Sequence, residues 1–132
     1  MKLLAAVAAI AGIAFGALFA LGPFYFGTPT GSLASFIMPV LLALAVVRTN
    51  YLNLRRLRDP SAAPPRWRLL TYNLVLLSIF LSGITVMYQT DVHFRHMPTA
   101  IAVFLTLGMA SFGINALYLC LPTARAAMPA HQ

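Results

Sequence analysis

RTNYLNLRRLRDPSAAPPRWR, residues 48–68, decides how this chain is read. It holds six of the nine Lys and Arg residues and divides two long apolar halves. The 132 residues are 61% hydrophobic and only 8% charged, against roughly 25% charged in a soluble domain. The apolar residues come in uninterrupted blocks, which is the pattern of membrane spans. A net charge of +7 would suit nucleic acid. Here, however, the charge is gathered in one connector between apolar blocks. That is how a membrane protein marks its cytoplasmic side, so nucleic acid is excluded as a partner. Lys2 is the only Lys, and the Arg, Ala and Leu richness points to a GC-rich bacterial genome. The single Cys120 excludes an internal disulfide and a Cys-based metal cage. It reads as an apolar filler near the inner end of the last span.

Working outward from the connector, residues 33–47 form a span with Pro39 inside it, where a kink is expected. Its helix is expected to run on past the bilayer to Arg58, because Asp59-Pro60 is the first clear stop. Residues 60–65, PSAAPP, make a stiff turn. Arg66, Trp67 and Arg68 then anchor a further span over 66–89. On the N-terminal side, residues 3–21 are apolar throughout. They read as a retained first span and not a signal peptide, because Pro23 would follow a cut after Gly22. Gly22-Pro23 is expected to stop that helix, ahead of the interfacial cluster Phe24-Tyr25-Phe26 and a short loop over 27–32. The last span covers 98–121. With the connector inside, eight basic residues fall on the inner side and only Arg95 on the outer side. The expected fold is all-α: one integral membrane domain, a four-helix antiparallel bundle with both termini cytoplasmic, in the cell inner membrane.

Chemistry is sparse. No apolar interior of the four spans carries Asp, Glu, Lys, Arg or His, whereas coupled transport needs such a group. No Ser/His/Asp arrangement, carboxylate pair or Gly-rich phosphate loop is present, so no catalytic residue is assigned and no enzyme is expected. The packing candidates are small and polar residues at helical spacing. Gly12 and Gly16 form a GxxxG pair. Ser78, Ser82 and Thr85 share a face with Thr71 and Gln89. Thr106, Gly113 and Asn115 lie on the last span. Arg55, Arg56, Arg58, Arg66, Trp67 and Arg68 are placed at lipid head groups or a partner's acidic surface. Asp91, His93 and His96, with Met87 and Met97 nearby, form the one set with ligand chemistry, for a metal or haem at the outer loop. A three-residue His spacing is common by chance, so no cofactor is favoured.

Three functions compete. The first is a contact protein: an accessory or assembly subunit, or an immunity-type protein, of a larger membrane system. Its partners are membrane lipids and either another protein or further copies of itself. The second is a small oligomeric channel or transporter, with Asn73 and Asn115 as polar stations on its path. The third is a redox or metal protein using the outer-loop histidines.

Overall fold

The computed structural model describes residues 1–26, 32–90 and 95–121. Four helices account for nearly all of them: α1 (Lys2–Phe26), α2 (Leu33–Arg58), α3 (Arg66–Thr90) and α4 (Thr99–Cys120). No strand occurs among the described residues. Lys2–Gly22 and all of α2, α3 and α4 are long and apolar enough to cross a membrane. Leu, Ala, Ile and Val dominate these stretches. The helix supplies every backbone partner internally, which is the condition a bilayer imposes.

The ends follow local chemistry. Ser32 caps α2 by accepting from the Ser35 amide at 3.3 Å. At the other end the Asp59 amide donates to the Arg55 carbonyl before Pro60 turns the chain. The α1 helix does not stop at Gly22-Pro23 but reaches Phe26. A proline in the last turn removes a single backbone bond, which is too little to end a helix already formed. Pro39 lies within α2, which continues through it.

The packing is a ring with one loose side. The α1 helix packs along α2 and α4, and α4 packs along α3, while α2 and α3 meet only narrowly. Gly12 lies against Asn50 and Gly16 against Val46 and Val47, so α1 and α2 run antiparallel. Arg66 reaches Leu119 and Phe80 stacks on Phe112 at 5.9 Å, so α3 and α4 do too. Phenylalanines fill the centre. Phe15 meets Phe104 at 4.8 Å and Phe80 at 5.4 Å, and Val46, Leu76 and Phe112 are buried with them.

The distribution of polarity is inverted relative to a water-soluble domain. Asn50, Asn53, Asn73, Ser111, Asn115 and Thr49 are buried. Leu3 is 78% exposed, and Val7, Ile10, Leu18, Leu44, Val86, Val103 and Leu107 also face outward.

Candidate functional site

The half of α2 nearer the connector, expected to run on past the bilayer, is packed inside the bundle. Ala43, Val46, Asn50, Asn53 and Leu57 recur at steps of three and four and are all buried. Leu69, Asn73, Leu76 and Phe80 repeat the pattern on α3. The α1–α2 register set by Gly12 and Gly16, carried back along α1, brings the buried Ala8, Ala9 and Ala5 alongside this half. The most apolar helix of the chain therefore covers the segment richest in Asn and Arg.

Each buried amide has a defined role. Asn53 and Asn73 pair reciprocally, each Nδ2 donating to the other's Oδ1 at 3.0 Å. Asn73 also donates to the Leu69 carbonyl at 2.8 Å. Asn50 Nδ2 donates to Val46 O at 3.0 Å, while its buried Oδ1 has no partner among the described residues. Asn115 donates to Ser111 O, and the Ser111 hydroxyl to Gly108 O.

Beyond the Asn53–Asn73 pair, α2 and α3 part. A hollow of about 430 Å³ lies between them, lined on α2 by Leu42, Ala45, Arg48, Thr49 and Leu52, and on α3 by Thr71, Tyr72, Val75, Leu76 and Ile79. A second hollow of about 470 Å³ shares Leu42 and Ile79 and continues to Pro39 and Phe19. Together they make one apolar trough with a single cation, Arg48, in its wall.

Arg48 directly follows the stretch 33–47 expected to span the bilayer. It is level with the stretch of α1 between Gly12 and Gly16, near the middle of the Lys2–Gly22 span. The Asn53–Asn73 register, carried along both helices, sets it level with Ser78. It lies about two turns, or about 10 Å, inward of Arg55 along α2. It is exposed and has no hydrogen-bond or ion-pair partner among the described residues.

The other expected residues separate into groups. Gly12 and Gly16 sit in the α1–α2 seam. A Cβ on Gly16 would come 2.7 Å from Val47 Cγ2 and 3.2 Å from the Ala43 carbonyl, and one on Gly12 would strike the Asn50 amide. Gly113 faces open space, and the close approach on α4 is made by Gly108 against the Phe15 ring. Asn115 is buried. Ser78, Ser82, Thr85 and Thr106 are exposed on the chain's own surface, and Ser78, Thr85 and Thr106 donate to carbonyls of their own helices. A hydroxyl that bonds back one turn needs no neighbouring helix.

The basic set divides as well. Arg55, Arg58, Trp67 and Arg68 are exposed, with Arg68 over the Trp67 ring. Arg66 instead donates to the Leu119 and Leu121 carbonyls, capping the C-terminus of α4, where a cation is favoured. Arg56 holds the connector by donating to Pro64 O. At the opposite end Arg95 does for α3 what Arg66 does for α4, donating to Tyr88 O and Gln89 O. Cys120 is exposed and fills no apolar gap. Asp91 and His93 lie outside the described residues, and His96 is exposed. Among the described residues no three His, Cys, Asp or Glu side chains gather. The Ser61 hydroxyl and amide, both bound to Asp59, hold that carboxyl below its ordinary range.

Arg48, Thr49, Asn50, Asn53 and Gly108 are the residues that sequence reasoning missed. The signal for the two Asn was present in the spacing of Val46, Asn50, Asn53 and Leu57, which is that of a buried stripe.

Comparison of the chain with known protein families, with curated proteins and with solved structures finds no match.

Proposed function

We propose that the chain is a multi-pass protein of the cell inner membrane that works by helix-to-helix contact, as an accessory, assembly or immunity-type component of a larger membrane system. The inverted polarity supports the membrane placement. Outward Leu, Val and Ile along all four helices would be a severe liability in water, and inward amides find partners more readily than lipid-facing ones would. The charge asymmetry supports an orientation with the connector and both termini in the cytoplasm, even with Arg48 set aside.

One observation carries the contact role: the loose α2–α3 side and the hydroxyl face beside it. The face begins at the trough with Thr71 and Val75 and continues as Ser78, Ser82 and Thr85. Small hydroxyl residues on an outward face let a second helix approach closely. The oligomeric channel is the weaker reading, because Ser78 and Thr85 already direct their hydrogens to their own backbone.

The test is cross-linking in native membranes from single cysteines placed in a Cys120→Ala background. Ser82→Cys and Thr85→Cys should give one discrete adduct, and Val7→Cys on the far face should give none. Equal or absent adducts at all three positions would refute the contact surface.

A further inference from the structure

We propose that the α2–α3 trough binds an anionic phospholipid, with its phosphate at Arg48 and an acyl chain lying toward Pro39 and Phe19. The inference rests on the membrane placement above, and not on the protein partner.

Arg48 is the starting point. An arginine two turns inside a span sits among hydrocarbon and draws a counter-charge or water toward it. Neither α2 nor α3 supplies one, since residues 33–58 and 66–90 contain no Asp or Glu. The chain's two carboxylates are Asp59 and Asp91. Asp59 lies past the end of α2, bound to Ser61. Asp91 follows α3 in the chain, at the end remote from the connector. A second copy of the chain brings the same two side-chain carboxylates, neither of which lies within any of the four helices. The missing anion comes from another molecule.

The shape of the trough says which. Its wall carries one cation, Arg48, and is otherwise mostly Leu, Ala, Val and Ile. It then continues through Leu42 and Ile79 into a purely apolar stretch with Phe19, Met38 and Leu41. One charge with an apolar stretch running away from it toward Pro39 is the complement of an anionic amphiphile. A free inorganic anion would leave the apolar length unused. The guanidinium fork presents paired donors that match phosphate oxygens. Thr49, next to it in the chain, adds a hydroxyl to the same hollow. The connector's exposed Arg55, Arg58 and Arg68 concentrate anionic lipid at the entrance. The trough opens sideways between helices, so a lipid enters from the bilayer.

The experiment is lipid retention by the full chain, purified from vesicles of mixed phosphatidylglycerol and phosphatidylcholine and read by native mass spectrometry. Wild type should retain one phosphatidylglycerol in preference to phosphatidylcholine. Arg48→Gln should weaken this about tenfold, the effect of one lost charge-assisted contact. Val75→Trp, which fills the trough but keeps the charge, should weaken it comparably. Arg58→Gln, on the exposed connector, should not. Thermal unfolding of each variant in detergent separates loss of the site from loss of the fold. Retention that is indifferent to head group, or unchanged in both Arg48→Gln and Val75→Trp, overturns the proposal. So does displacement of the lipid by millimolar inorganic phosphate, or a cross-link from residue 48 to a carboxylate on another protein's helix. A chain that fails to insert into vesicles at all refutes the membrane reading instead.

Discussion

The α2 helix has two sides, and they are built differently. Toward α1 it is closed: Gly12 and Gly16 remove side chains so that Asn50, Val46 and Val47 can lie against backbone. Toward α3 it is held at one point, the Asn53–Asn73 amide pair, and is open beyond it. The closed seam uses shape and the open side uses a directional bond. In lipid this contrast has a reason. Apolar side chains gain nothing from leaving hydrocarbon for one another, so helices stay together by close packing or by polar bonds. Where a seam has neither, as along Leu42, Ala45, Val75 and Ile79, nothing draws the helices shut, and a hollow is left between them.

Breaking the closed seam should have the largest effect. Gly12→Leu drives a side chain into Asn50, and overpacking of this kind costs about 3 kcal/mol. Thermal unfolding in detergent should show it as a large drop in midpoint. Gly113→Leu, pointing into open space, should change stability by less than about 0.5 kcal/mol. Equal costs at both glycines would erase the distinction between seam and surface.

The open side should be more tolerant. Asn73→Leu leaves Asn53 buried without its partner and should cost about 1–2 kcal/mol. The double change Asn53→Leu with Asn73→Leu should recover most of that, because no amide is then stranded. A double mutant that loses the sum of the two singles would mean the pair does not hold α2 to α3.

Smaller still is Arg66→Gln, which removes the cap on α4 and should cost about 1 kcal/mol, measured the same way. Least of all is Asp59. Its folded carboxyl lies below the ordinary 3.8, largely through the Ser61 hydroxyl. Its contribution is therefore full above 3.8 and is lost as pH falls through the lowered folded value. The group is fully exposed, so the effect is a shallow decline in unfolding midpoint at acid pH that Asp59→Asn should abolish.

The four helices were legible because span length and composition are one-dimensional signals. Asp59-Pro60 marked the end of α2 at Arg58 correctly. What was not legible is which residues of α2 are buried. Mean hydropathy falls sharply where Arg48, Thr49, Asn50 and Asn53 enter, and that fall looks like the edge of a bilayer. A window average mixes the faces of a helix, and here two Asn of the polar content lie on the buried face, covered by the Ala and Gly of α1. The hydroxyl stripe on α3 misled in the opposite direction: its spacing is that of a packed face, but Ser78 and Thr85 satisfy themselves within α3. Gly113 and Gly108 cannot be told apart by spacing alone. Only the position of the Phe15 ring distinguishes them.

The central claim is that α2 belongs inside the bilayer along its inner half, with Arg48 in hydrocarbon and Arg55 at the head groups. Spin labels placed at positions 48 and 55 in reconstituted vesicles test it directly, by relaxation with oxygen, which concentrates in lipid, and with a water-soluble nickel chelate. The label at 48 should relax with oxygen and be shielded from nickel, and the label at 55 should do the reverse. Equal nickel access at both positions would put the inner half of α2 in water and contradict the account.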